Sequence, residues 1–415
     1  MATLLITDIK QLVNTREENQ LLRGAEMAVL PAIENAFLLI EDGIICRYGA
    51  MNELQRRPLP PPGKTISAEG QLVLPAWCDS HTHLVFAAGR ENEFVDKLKG
   101  LSYAEIARRG GGILNSAARL NNMSEDSLFN LAWERLEELI RLGTGAIEIK
   151  SGYGLTTEGE LRMLRVIKRL KEKSSILIKS TFLGAHTYPA AYINDHQGYI
   201  RLLIDEMLPV IAAEKLADFI DVFCEDGFFS PEETELICRA GMAYGLKAKL
   251  HANQFSHSGA VQTGTKLGAL SVDHLETMDA DAIAALAGSD TIGTLLPTAA
   301  FFLRIPFPPA RELIESGCAL ALASDFNPGS SPSGNMNLVI SMSCIGMKML
   351  PEEAINAATV NGAYAMEMQD MAGSIMVGKK ANLIFTKPVS SLAYIPYAFG
   401  SNLIDRVMIN GQFKS

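Results

Sequence analysis

Basic residues are in short supply. Lys and Arg total 37 against 47 Asp and Glu, a formal net charge of −10. With no basic excess to displace phosphate counterions, a nucleic-acid partner is not expected. A small anionic substrate stays open, because it needs only one local Arg or Lys. Cysteine is sparse too, six in 415 residues with no C-x-x-C pair, so reduced thiols are expected. No apolar run reaches the roughly 18–20 residues of a membrane helix. The first residues, Met1-Ala-Thr-Leu-Leu-Ile, lack the basic segment and long apolar core of a secretory leader. No membrane partner is expected, and a cytoplasmic location follows by elimination. Histidine is scarce at seven residues, so where each one falls is informative.

What is present alternates. Apolar, strand-like runs occur at Leu72–Pro75, Ala146–Ile149, Ile176–Phe182, Phe219–Cys224, Leu246–Leu250, Leu270–Val272, Thr291–Leu295 and Ala319–Ala323. Helical-length amphipathic stretches separate them. Asp126–Leu142 carries Leu128, Leu131, Leu136, Leu139 and Ile140 on approximately one face, and Glu158–Lys171 does likewise with Leu161, Leu164, Ile167 and Leu170. Eight such units match an α/β protein with a TIM-like (β/α)₈ barrel over residues 71–375. The ends read differently. Asp42-Gly43 and Asn410-Gly411 sit between apolar runs and are hairpin cues, and Pro58 to Pro62 interrupts regular structure. Residues 1–70 and 376–415, each too short to bury a core alone, are expected to combine into one small β-sandwich domain.

Polar residues just past the carboxyl ends of barrel strands carry function. Leu72–Pro75 is followed by His81-Thr-His83, whose imidazoles at i and i+2 can reach one ion. The third strand ends in His186, the fifth in His251, the sixth in His274 and the eighth in Asp325. Five of seven histidines and one aspartate thus collect at one barrel face, which points to a divalent metal with an open position for water. His196 falls in a polar loop and is expected to be exposed. His257 only lines a loop, and Cys224 is expected to be a buried thiol.

The set His81, His83, His251, His274 and Asp325 resembles the amidohydrolase superfamily. Nearly the whole chain resembles its imidazolonepropionase family, through Glu148-Ile-Lys-Ser-Gly-Tyr-Gly154, Thr181-Phe-Leu-Gly-Ala-His186, Asp273-His-Leu-Glu276 and Asp325-Phe-Asn-Pro-Gly-Ser-Ser-Pro332. The resemblance implies one Zn²⁺ or Fe ion per subunit, held by His81, His83, His251 and Asp325. The fourth strand lacks the lysine that two-metal members use, and Lys150 is expected to be structural or supporting. It further implies that Arg90, Tyr153, His186, Gln254, Asn327, Gly329 and Ser330 contact substrate or product. Asp325 and His274 would handle the water, and His186, which contacts the imidazolone, or the metal would polarise the reacting carbonyl. The implied reaction hydrolyses a cyclic amide, opening 4-imidazolone-5-propanoate to N-formimidoyl-L-glutamate in histidine degradation; a homodimer is also implied. The rival enzyme reading is deamination of a nucleobase-like ring. Such enzymes place a Glu where this chain has Gln254. A barrel that has lost its chemistry is a third reading, and the intact ligand set speaks against it. The loop Lys97–Gly112, with Tyr103 and Gly110, is a candidate cover for the site.

Overall fold

The computed structural model describes residues 3–56, 62–101, 105 and 111–414. Pro58–Pro61, Tyr103 and Gly110 therefore lie outside the described residues. The chain begins with β1 (Thr3–Val13), β2 (Ala32–Glu41), β3 (Ile44–Ala50), β4 (Lys64–Ser67) and β5 (Leu72–Pro75). Then come β6 (Trp77–Thr82), β7 (Thr144–Lys150), β8 (Leu177–Ala185), β9 (Phe219–Cys224), β10 (Lys247–Ala252), β11 (Ser271–His274), β12 (Ile292–Leu295) and β13 (Leu320–Leu322). It ends with β14 (Leu383–Thr386), β15 (Ile404–Ile409) and β16 (Gln412–Lys414).

The strands at the two ends share one mixed sheet, in the order β16-β15-β14-β5-β1-β2-β3, with β4 also paired to β1. Both predicted hairpin turns are there. Asp42 and Gly43 have φ of 48° and 83°, and Asn410 and Gly411 have 49° and 74°, the doubly left-handed geometry that favours Asn/Asp-Gly in tight hairpins. The two turns abut, since a Cβ on Gly43 would sit 2.6 Å from the Asn410 carbonyl oxygen. Ile6, Leu38 and Ile40 from the amino-terminal strands bury against Leu383, Phe385 and Met408 from the carboxyl-terminal ones. Neither end has to bury a core alone.

The second sheet is the barrel. β6 to β13 neighbour one another in chain order and every pair is parallel. The crossover helices begin where the sequence places caps. Ser124 accepts from Ser127 N–H ahead of helix Glu125–Arg141, and Thr156 accepts from Gly159 N–H ahead of helix Thr157–Lys173. Most of the predicted apolar faces are buried: Leu128, Leu136, Leu139 and Ile140 on the first helix, where Leu131 is only half-buried, and Leu161, Leu164, Ile167 and Leu170 on the second.

One assignment changes. Leu72–Pro75 does not open the barrel: β5 pairs with β1 and β14 in the mixed sheet. The first barrel strand is β6, Trp77-Cys-Asp-Ser-His-Thr82. Its polar residues kept it from standing out as a strand of its own. Asp79 and His81 alternate on one face of a fully buried strand, where their polar atoms find partners inside the barrel.

The sheet closes at its carboxyl rim. Asp325 N–H donates to the His81 carbonyl at 3.0 Å and His83 N–H to the Phe326 carbonyl at 2.9 Å. Below them Asp79 bridges the gap, accepting from Ser324 N–H at 2.9 Å and Ser324 Oγ–H at 2.6 Å. Asp79→Ala leaves both buried donors unpaired and is expected to cost roughly 2–4 kcal/mol of stability. Denaturant unfolding checks this; an unchanged midpoint would deny Asp79 its part in the seam.

Candidate metal centre

The strand ends bring together the five expected histidines and Asp325. His81, His83, His251, His274 and Asp325 are all buried at 0–3% exposure. Two sets of three converge: His81, His251 and His274, and His81, His83 and Asp325. The backbone is bent to present them. His274 has φ of 91° and Asp325 of 51°, left-handed values that cost a non-glycine residue on the order of 1–3 kcal/mol and gather at functional sites.

Carboxylates behind the ligands settle the imidazole tautomers. His81 Nδ1 lies 2.6 Å from Asp273 Oδ2, and His251 Nδ1 lies 3.2 Å from Asp221 Oδ1. A carboxylate accepts only, so each Nδ1 carries the proton and each Nε2 presents a lone pair. His81 Nε2 is buried and makes no hydrogen bond among the described residues. His83 Nε2 faces His251 Nε2 at 3.4 Å, and Asp325 Oδ1 lies 3.5 Å from both His81 Nε2 and His83 Nε2. Ligands about 2.0–2.1 Å from a tetrahedral ion stand about 3.3–3.4 Å apart. Burial and neighbouring positive charge hold His81 and His83 well below the usual imidazole range, so both rings are neutral and able to offer a lone pair. The donor set therefore fits a divalent ion.

Three further groups at the cluster differ. Burial raises Asp325 to about 6, though His274 and His251 pull the other way. Burial alone would lower His274, but Glu276, with Oε1 3.5 Å from Nδ1, outweighs it and the net shift is upward. His186 donates Nδ1–H to the Gly152 carbonyl at 3.0 Å, and burial takes it down to about 3. As a neutral ring it takes rather than gives a hydrogen bond at Nε2.

A cavity of about 600 Å³ opens over the cluster, lined by Arg90, Tyr153, His186, Gln254 and Asn327 among others. Arg90 Nε donates to Ser116 Oγ at 2.9 Å, while its Nη2 is buried and has no partner among the described residues. Gly329 makes room for it, since a Cβ there would lie 2.6 Å from Arg90 Nη1. Tyr153 is 4% exposed, its ring 5.7 Å from His83 and 5.5 Å from His186. Asn327 spends its side chain on its own loop: Oδ1 accepts from Gly329 and Ser330 N–H at 2.8 Å each, and Nδ2 donates to the Asp325 carbonyl at 2.6 Å. Ser330 Oγ–H reaches Asp325 Oδ2 at 3.3 Å.

The remaining sites fall away from the cluster. His196 is not in a loop but opens the helix His196–Arg201, behind an Asp195 cap, with its ring stacked 3.7 Å from Tyr188. His257 is half-exposed beside Asp279. Cys224 is a buried thiol, raised by burial to about 11.

Sequence reading passed over the carboxylates and lysines under the histidines. Asp221, Asp273, Glu148 and Lys249 are all at most 1% exposed, and so is Lys150, which it placed only as structural or supporting. Only Lys249 carried a signal, a charge inside an apolar strand two residues before a candidate ligand, His251. Glu160 was missed too. From its helix it accepts N–H bonds from Gly152, Gly154 and Leu155 and so shapes the loop holding Tyr153.

Comparison with known proteins places these features. The amidohydrolase family model matches residues 72–414. An imidazolonepropionase of Flavobacterium johnsoniae is 58% identical, the match covering 98% of this chain and 99% of that one. One from Christiangramia forsetii is 53% identical over 99% of each. A crystal structure of an adenosine deaminase from Xanthomonas campestris with bound zinc superposes with a TM-score of 0.72 at 16% identity, covering 99% of this chain and 92% of that one.

Loading with one metal at a time is expected to give close to one ion per chain by elemental analysis. Asp325→Ala is expected to lose it, whereas His274→Ala should keep it; two ions per chain, or loss with His274→Ala, would refute this ligand set.

Proposed function

The chain belongs to the amidohydrolase family and, within it, to the imidazolonepropionases; from that premise we propose that it opens 4-imidazolone-5-propanoate to N-formimidoyl-L-glutamate by hydrolysis. The observation that carries the site assignment is the convergence of unprotonated ring nitrogens and one carboxylate at tetrahedral spacing. His81, His83, His251 and Asp325 would hold one zinc or iron ion. When bound, the ion supplies Lewis acidity, lowering the pKa of a water and drawing charge from a carbonyl oxygen.

The chain's own groups do the rest. Asp325, whose Oδ1 faces the ligand nitrogens while Ser330 Oγ–H reaches its Oδ2, would take a proton from the attacking water. His274, oriented by Glu276, stands beside it to pass that proton on. Water oxygen bonds to the ring carbonyl carbon, the carbon–nitrogen bond breaks, and the proton ends on the departing nitrogen. His186 Nε2 accepts a hydrogen bond from a ring N–H, which orients the imidazolone rather than polarising its carbonyl. The unpartnered Arg90 Nη2 receives the propanoate, a charge-assisted pairing, with Tyr153 and Gln254 along the ring. Gln254 also weighs against ring deamination, because an amide cannot donate and recover a proton.

We further propose that the barrel, beginning at Trp77 rather than at residue 71, is the catalytic unit, and that the two ends together with Leu72–Pro75 form one supporting domain. Among the described residues no helix is long and apolar enough to cross a membrane, and we propose a cytoplasmic enzyme. A homodimer is proposed from the family, with exposed Ile345, Tyr397 and Phe399 available to cover one another; a one-chain mass in light scattering would overturn it.

Purified protein mixed with freshly generated imidazolone propionate is expected to abolish its ultraviolet absorbance, and prior chelation to stop the decay. Turnover of guanine or cytosine instead would favour the deaminase reading. Arg90→Ala is expected to raise KM roughly 10–100-fold with a smaller effect on kcat, the weight of one charge-assisted hydrogen bond; an unchanged KM would remove Arg90 from the carboxylate.

A further inference from the structure

Beneath the candidate ligands lies a group of charges that neither lines the cavity nor belongs to the converging ligand groups. Lys150 and Lys249 are fully buried among Glu148, Asp221 and Asp273, on four strands of the barrel. Lys150 Nζ lies 2.6 Å from Glu148 Oε1, 2.8 Å from Asp221 Oδ2 and 3.6 Å from Asp273 Oδ2. Lys249 Nζ bonds Glu148 Oε2 and the carbonyls of Ser80 and Ala365 instead. The division of labour is clear: Lys249 ties the network to the backbone, and Lys150 alone reaches both carboxylates that touch the histidines.

We infer that Lys150 is a positioning residue for the metal site, whose single ammonium holds Asp221 and Asp273 so that each aims its histidine. Asp221 receives the Nδ1–H of His251, and its Oδ1 also takes the His251 backbone N–H at 3.1 Å. Asp273 Oδ2 receives the Nδ1–H of His81, while its Oδ1 takes the Ser271 hydroxyl at 2.6 Å. Each carboxylate has one side toward an imidazole and one side anchored. Lys150 makes the arrangement tolerable, because two carboxylates with no shared cation in a dry space repel and draw protons or water. Their withdrawal would turn the Nε2 lone pairs of His81 and His251 off a common point. Losing a group that orients a metal-bound imidazole typically costs 10–100-fold in metal affinity, and Lys150 serves two such groups at once.

The inference rests on the ligand set given under Proposed function, so its test reads metal binding without substrate. Metal-free Lys150→Met, which keeps the length and removes the charge, is titrated with Zn²⁺ against a chromophoric chelator beside the unaltered protein. The expected result is a zinc Kd raised about 10–100-fold and an altered visible spectrum of the Co²⁺-loaded protein. In turnover, KM for imidazolone propionate should stay put while kcat falls with metal occupancy. A lower Tm with an unchanged Kd and Co²⁺ spectrum would make Lys150 a packing charge only and overturn the inference. Should Lys150→Met fail to fold, Asp221→Asn and Asp273→Asn each cut one arm; full zinc affinity in both would overturn it equally. If the unaltered protein binds no zinc, the ligand assignment itself falls, a result distinct from either of these.

Discussion

Everything at the barrel rim depends on imidazoles kept neutral and aimed. A histidine at a strand end is a ligand only if its lone pair points at the ion and its proton points elsewhere. Here the proton of His81 goes to Asp273 and that of His251 to Asp221, and both carboxylates are in turn held from below by Lys150. Burial, which makes such charges costly, also makes their directions firm, because no water competes for the bonds. Asp221 shows the outcome. Burial alone would raise its carboxyl, yet His251 and Lys150 hold it well below the usual range.

The barrel and its metal-binding rim were legible in the sequence because two strong signals coincide: alternation of apolar runs with amphipathic stretches, and histidines at the ends of those runs. Where the text failed, the physics says why. Leu72–Pro75 looks like a barrel strand because it is apolar, but it is buried in the mixed sheet, whereas Trp77–Thr82 looks polar because its inner face carries Asp79 and His81. A strand lining a charged interior inverts the usual pattern, and apolar content then points to the wrong segment. The roles of Asp221 and Asp273 were invisible for a related reason. A lone acid in a strand has no spacing rule, and its meaning comes from which strand lies next to it. Position alone also said too much about Asn327. It does sit on the rim, yet its side chain is consumed by the turn that presents Asp325.

Specificity and shape are joined by glycines. Gly329 leaves the space that Arg90 occupies, and Gly152, at φ of 109°, lies where a Cβ would come within 2.9 Å of His186 Nδ1. The Gly-Tyr-Gly loop is then held by Glu160 rather than by its own side chains. Substrate-facing groups are thus carried on backbone that would not tolerate a larger residue, and the cavity is pre-formed.

The seam of the barrel has a thermodynamic consequence. First and last strands meet through His81, His83, Asp325 and Phe326, the same short stretches that supply three of the candidate ligands. An ion gripping both edges would act as a clasp on a closed ring. Occupancy and closure are then two readings of one equilibrium, and the resistance of the fold to heat would rise with the logarithm of free metal.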